Sequence, residues 1–137
     1  MKSSLRPGVT RVSRITVGRD RTIGFMGEEA RTYGTPSMVL DIEDTCRDLI
    51  NEHADPGEDS VGIEVAIRHL APTLMDMTVE VTVRVIAVEG RKVVFEATVK
   101  DDLEEVGTGT HARFVIDKVR TFERLKAKAA RFAAGRG

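Results

Sequence analysis

From Ser60 to Ile116 the chain passes through four strand-length segments with nothing helical between them, and one apolar-faced helix precedes them. Met77 to Val88 alternates with period two, so that Met77, Val79, Val81, Val83 and Val85 share one face of an extended chain. Glu89-Gly90-Arg91 reads as a tight hairpin returning through Lys92 to Lys100; Asp101-Asp102 makes the next turn, and Glu105 to Ile116 is the last strand. Ser60 to Leu70 is the first of the four, broken by Ala71-Pro72-Thr73. Ahead of them, Met38 to His53 places Met38, Val39, Ile42, Cys46, Leu49 and Ile50 on one helical face at about 100° per residue. Asp41, Asp44, Arg47, Asp48 and Asn51 fall on the other side. Pro36 suits a first turn, Thr35 or Ser37 can cap it, and Asp55-Pro56-Gly57 stops the helix.

One more strand, Val9 to Val17, comes first, followed by a polar, Gly-bearing loop from Arg19 to Gly34 with a helical turn near Glu28 to Arg31. Lys118 to Ala134, rich in Ala, Lys and Arg, reads as a C-terminal helix. These elements give an α+β fold in which a curved antiparallel sheet of about five strands wraps one long central helix, with the C-terminal helix added. That is the hot-dog arrangement. Its sheets commonly join edge to edge in a dimer, which also disposes of an exposed strand edge. The 137 residues fit a single domain spanning 1–137.

Composition excludes several classes of function. With 21 basic against 22 acidic residues, no global field recruits nucleic acid or an anionic membrane. No apolar run approaches the roughly 20 residues that span a bilayer, and Met1-Lys2-Ser3-Ser4-Leu5 lacks the apolar stretch of a signal peptide. Cys46 is the only cysteine, so no internal disulfide and no thiolate metal cluster is expected. The expectation is a cytoplasmic protein with no metal and no nucleic-acid or membrane partner.

Three reactive side chains sit around the helix. Thr35 lies just before it, Glu43 is on the shoulder of its apolar stripe, and His69 ends the first strand after it. By strand parity, His69 continues the inward face of Val61, Ile63, Val65 and Ile67. Each residue has an ordinary explanation: a helix cap, a carboxylate bending into solvent, a hydrogen-bonded core histidine. Together they place a hydroxyl, a carboxylate and an imidazole near one seam, the set that hydrolysis of an activated acyl group needs. Gly62 either marks a bulge or leaves room for an acyl carbonyl. His53, near the helix C-terminus, suits a structural role. Gly107-Thr108-Gly109-Thr110-His111-Ala112-Arg113 lacks the context and the lysine of a phosphate loop; its glycines let a strand bend or pass close to a neighbour. The basic C-terminal helix reads as a solvated face, with contact to coenzyme A phosphates as the minority reading.

Over Gly34 to Ile116, more than half the chain, the sequence resembles the fluoroacetyl-CoA thioesterase family of hot-dog proteins. GTPSMVLDIEDTC, DPGEDSVGIEVAIRHLAPT, VEGRKVVFEA and VGTGTHARFVI carry the resemblance in spacing as well as type. It implies a catalytic threonine, glutamate and histidine at Thr35, Glu43 and His69, and a pocket-lining glycine at Gly62. It further implies a homodimer, open to pairing again as a dimer of dimers, with a site at the subunit interface. The substrate would be an acyl-CoA, with coenzyme A entering as part of the substrate and no separate cofactor. The lid segment departs from the family pattern: FMGEEARTYGT keeps Phe25 and Tyr33 but puts charges between them, so a short or medium acyl group other than fluoroacetyl is expected. In the expected reaction Glu43 activates water or attacks directly, Thr35 orients it or accepts the acyl group, and His69 moves protons. Two rivals share the fold: an enoyl-CoA hydratase or dehydratase, and a non-catalytic acyl-CoA binding protein.

Overall fold

A computed structural model describes residues 1–136. The main sheet is fully antiparallel, with strand order β1-β5-β6-β7-β4. Its strands are β1 (Thr10–Thr16), β4 (Glu58–His69), β5 (Thr78–Glu89), β6 (Lys92–Lys100) and β7 (Glu105–Asp117). A two-stranded ribbon of β2 (Thr22–Ile23) and β3 (Thr32–Tyr33) organises the loop before the central helix α1 (Thr35–Glu52), and a one-turn helix covers Glu28–Ala30 within it. Helix α2 (Lys118–Gly135) closes the chain.

Periodicity explains the core. Met38, Ile42, Cys46, Leu49 and Ile50 of α1 are fully buried against Val79, Val81, Val83 and Val85 of β5, with Val93, Phe95 and Val99 of β6 and Val106 and Val115 of β7 completing the cluster. Full burial of each such side chain is worth about 1.5–3 kcal/mol, so the α1–sheet contact dominates stability. Helix α1 starts at Thr35, three residues earlier than the apolar stripe suggests, and its N-cap is Gly34, with no side chain bonding the free amides. Neither Thr35 nor Ser37 caps it. Asp41, placed by its wheel position on the solvent side, is buried instead.

Strand β4 corrects a second expectation. Its register against β7 slips between Gly62 and Glu64, a bulge that inserts one unpaired residue and reverses the side-chain phase. Val61 therefore pairs with Phe114, while Val65, Ile67 and His69 pair with His111, Gly109 and Gly107, so the four apolar residues do not share one face. Val61, Ile63 and Val65 are 42%, 52% and 42% exposed. An unpaired edge strand of 12 residues carrying exposed β-branched side chains is open to strand addition.

Where β7 meets its neighbours, glycine permits close approach. A Cβ on Gly109 would overlap the backbone carbonyl oxygen of Ala66 in β4, whereas one on Gly107 would meet the Met38 thioether at 2.5 Å. The thioether can turn aside; the paired carbonyl cannot. No helix among the described residues is long and apolar enough to cross a membrane. We expect Gly109→Ala to lower the unfolding free energy by about 1–3 kcal/mol and Gly107→Ala to cost less, measured by urea denaturation of both variants.

Candidate active site

At the N-terminal end of α1, Thr35 meets His69, the last residue of β4. The Thr35 hydroxyl lies 2.7 Å from His69 Nδ1, so the hydroxyl freed from capping binds an imidazole instead. His69 Nε2 is buried and has no hydrogen-bond partner among the described residues. Burial lowers the His69 pKa from its ordinary value, against a smaller opposing effect from a backbone hydrogen bond at Ala71, which favours a neutral ring. A cavity of about 360 Å³, lined by Ile23, Thr35, His69, Leu70 and Pro72, opens over the pair.

Tyr33 backs the histidine, its ring edge-on with centroids 6.2 Å apart. The Tyr33 hydroxyl donates to Asp41 Oδ2 at 2.6 Å, and Arg21 Nε donates to the same oxygen at 3.2 Å. Burial, reinforced by the bond to Asp41, pushes the Tyr33 phenol above its usual range, so it remains a donor. The trio ties the β2–β3 ribbon to α1 and sets the wall against which His69 rests.

Glu43 lies eight residues after Thr35, about 12 Å further along the helix axis, and faces the other end of β4. A Cβ on Gly62 would stand 3.0 Å from Glu43 Oε1 and 3.2 Å from His111 Cε1, so the missing side chain keeps the carboxylate open. Beneath lies a buried polar cluster. Arg113 Nε donates to Ser60 Oγ at 2.8 Å, Nη2 donates to the Ser60 carbonyl at 2.8 Å, and Nη1 points at His111 Nε2, 3.2 Å away. Because arginine only donates, His111 Nε2 accepts, and its Nδ1–H donates to the Glu64 carbonyl at 2.8 Å, which sets the tautomer. Burial lowers the pKa of both His111 and Arg113, and the charge of Glu43 opposes the shift in each. The adjoining cavity, about 580 Å³, is lined by Glu43, Arg47, Gly62, Arg113, Phe122 and Leu125.

The expected residues thus fall into two half-sites, Thr35 with His69 and Glu43 with Gly62. Within one chain the halves are separated by two turns of α1 and by seven residues of β4, roughly 20 Å. His53 bonds Ser4 Oγ through Nδ1 at 2.8 Å and holds the N-terminal segment. Burial pushes the Cys46 thiol up to about 12, which removes it as a nucleophile. No group of three or more His, Cys, Asp or Glu among the described residues could hold a metal ion. His111, Arg113, Tyr33 and Asp41 were not anticipated. The alternation of His111, Arg113 and Val115 was the available signal for the first two.

The strand order around one central helix defines a hot-dog protein. A hot-dog-like protein from Thermanaerovibrio acidaminovorans superposes with a TM-score of 0.81 at 23% identity, over 89% of this chain and 91% of its own. The structure of the fluoroacetyl-CoA thioesterase FlK does so with a TM-score of 0.83 at 27% identity, over 90% and 97%. In sequence, the fluoroacetyl-CoA thioesterase of Streptantibioticus cattleyicolor is 30% identical over 123 residues, 85% of this chain and 88% of the relative. The model of the fluoroacetyl-CoA-specific thioesterase family matches residues 17–119. The chain belongs to that family of thioester hydrolases.

Removing the Tyr33 hydroxyl leaves the Asp41 carboxylate buried with one donor fewer. Tyr33→Phe is expected to lower the unfolding free energy by about 1–3 kcal/mol, read from chemical denaturation.

Proposed function

We propose that this protein is an acyl-CoA thioesterase acting on a short or medium acyl group, and that its active site is composite. Thr35 and His69 come from one subunit, Glu43 and Gly62 from the other. The observation that carries this is the buried, unpartnered Nε2 of His69 at one end of an open strand edge, with Glu43 beside the other end. Antiparallel pairing of two β4 strands about a two-fold beside Ala66 sets Val65 opposite Ile67 and the Gly62 bulge opposite His69. The residue inserted at the bulge keeps both members of that last pair on the helix side. Such pairing covers Val61, Ile63 and Val65 and completes the site twice.

The proposed chemistry starts from the Thr35–His69 contact of 2.7 Å. The Thr35 hydroxyl donates to His69 Nδ1, and His69 Nε2–H faces Glu43 of the second subunit, which stabilises the imidazolium as it forms. Thr35 Oγ attacks the thioester carbonyl and its proton passes to His69, which then protonates the departing thiolate. Water, activated by the same histidine, releases the acid. The absent side chain at Gly62 leaves room for the acyl group beside Glu43. Coenzyme A enters only as part of the substrate. A cytoplasmic location, where the lone thiol of Cys46 stays reduced, belongs to the same reading.

Glu43→Ala and His69→Ala should each lower turnover roughly a hundredfold in a panel of acyl-CoA esters with free-thiol detection. Mixed dimers of the two variants regain one intact site and recover activity; a mixture as inactive as its parents would refute the composite site. Within one chain burial lowers the His69 pKa, and the facing Glu43 carboxylate of the second subunit opposes that shift. Glu43→Ala should therefore move the acid limb of the residual kcat/KM to lower pH, and an unmoved limb would contradict the pairing.

A further inference from the structure

The base of α2 holds a second cavity that the proposed chemistry leaves unused. Arg91, at the β5–β6 turn, and Arg120 and Arg124 of α2 surround a groove of about 420 Å³, with Phe114, Asp117 and Thr121 also in its walls. Arg120 and Arg124 are four residues apart, so they neighbour each other on the helix surface and repel. Among the described residues neither has a carboxylate within ion-pair distance, and the one acidic residue of α2, Glu123, pairs with Lys126 at 3.3 Å instead. Asp117 is occupied in capping the helix, accepting from the Arg120 amide at 3.0 Å. Arg91 donates to Glu58 at 3.1 Å and to the Val115 carbonyl at 3.3 Å, which holds its guanidinium at the rim. The groove therefore keeps an excess of positive charge that its own chain does not neutralise. Phe114, 41% exposed, adds an aromatic surface.

Its position gives the charge a purpose. Ile116 and Thr121 line both this groove and the larger cavity at Glu43, Gly62 and Arg113, so the two spaces meet across one ridge. On the cavity side of the ridge, Phe122 and Leu125 offer an apolar wall. A thioester seated at Glu43 can thus extend past an apolar ledge to three guanidinium groups and a ring. That sequence of surfaces fits a leaving group with a neutral arm and a phosphorylated nucleotide at its far end. Arg120 and Arg124 lie just beyond residues 17–119, the stretch that the family model matches.

Resting on the thioesterase reading, we infer that the groove between Arg91, Arg120 and Arg124 binds the phosphorylated nucleotide end of the coenzyme A leaving group. The protein therefore favours CoA thioesters over the same acyl group on a truncated thiol. Guanidinium forks recognise phosphate through paired charge-assisted bonds, and the Phe114 ring stacks a base without reading its identity.

The test uses the full-length protein and the R120A/R124A variant, whose changes are on an exposed helix face and leave the core intact. Titration of adenosine 3′,5′-bisphosphate by calorimetry should give saturable binding to the wild type, weakened about tenfold or more in the variant and by added salt. In parallel, the preference in kcat/KM for an acyl-CoA over the matching acyl-N-acetylcysteamine thioester should shrink by a similar factor, through KM rather than kcat. Hydrolysis of both thioesters with an unchanged preference in the variant would overturn the anion site and leave the hydrolase reading standing. Failure of the wild type to bind the bisphosphate would overturn it equally. Bisphosphate binding lost in the variant, with no hydrolysis of either thioester by the wild type, would uphold the nucleotide site and remove the hydrolase reading.

Discussion

The pairing of β4 with β7 carries both halves of the candidate site, because His69 and Gly62 lie on the same strand and meet α1 at different turns. The strand is held on one side only. Its inner edge is zipped to β7 from Glu58 to His69, while its outer edge is open. Without the bulge, an inward Gly62 would leave His69, seven residues on, facing away from the helix. The single inserted residue lets Gly62 stand over Glu43 and His69 stand over Thr35 at once. The irregularity that weakens the ladder locally is the one that turns both residues toward the helix.

Helix α1 serves this arrangement by carrying polar groups on both shoulders of an otherwise apolar stripe. On one shoulder, buried Asp41 satisfies Tyr33 and Arg21, so its charge is consumed in fixing the wall behind His69. On the other, Glu43 stays half-buried beside Arg113, whose guanidinium is already bound to Ser60 and His111. Two carboxylates two residues apart thus have opposite fates. Asp41 is fully engaged and structural; Glu43 takes no hydrogen bond from the residues below it and faces a cavity. Burying an arginine is expensive unless its donors are met, and Ser60 and His111 meet them without drawing on the Glu43 carboxylate.

Much of this was legible in the chain. The alternation of Val79, Val81, Val83 and Val85 and the stripe from Met38 to Ile50 specify the sheet and the helix it covers, because every buried position repeats at the period of its element. Thr35, Glu43 and His69 were expected together at one seam; within one chain only Thr35 and His69 meet, and Glu43 stands with Gly62. Parity failed at β4 because a bulge has no signature there beyond one glycine. Asp41 looked solvent-facing because its partners, Arg21 and Tyr33, come from a loop without periodicity. His111 and Arg113 were read through the glycines around them rather than through their own alternation with Val115. For Asp41, His111 and Arg113 a polar residue was buried by a tertiary partner, and composition carries no record of that.

The loop ahead of α1 shows why a family pattern does not transfer whole. Its charges are spent on its own shape: Arg19 and Arg31 both reach Glu28, Arg31 Nε donates to Thr22 Oγ1 at 2.8 Å, and Arg21 is anchored on Asp41. With the ribbon pinned this way, Tyr33 is drawn inward to Asp41. Phe25 and Met26 are left at the tip, 80% and 68% exposed. Within one chain the loop's other aromatic, Phe25, thus packs against neither half of the candidate site. The walls that are built stand instead around Glu43: Gly62, Arg113 and the α2 ledge of Phe122 and Leu125.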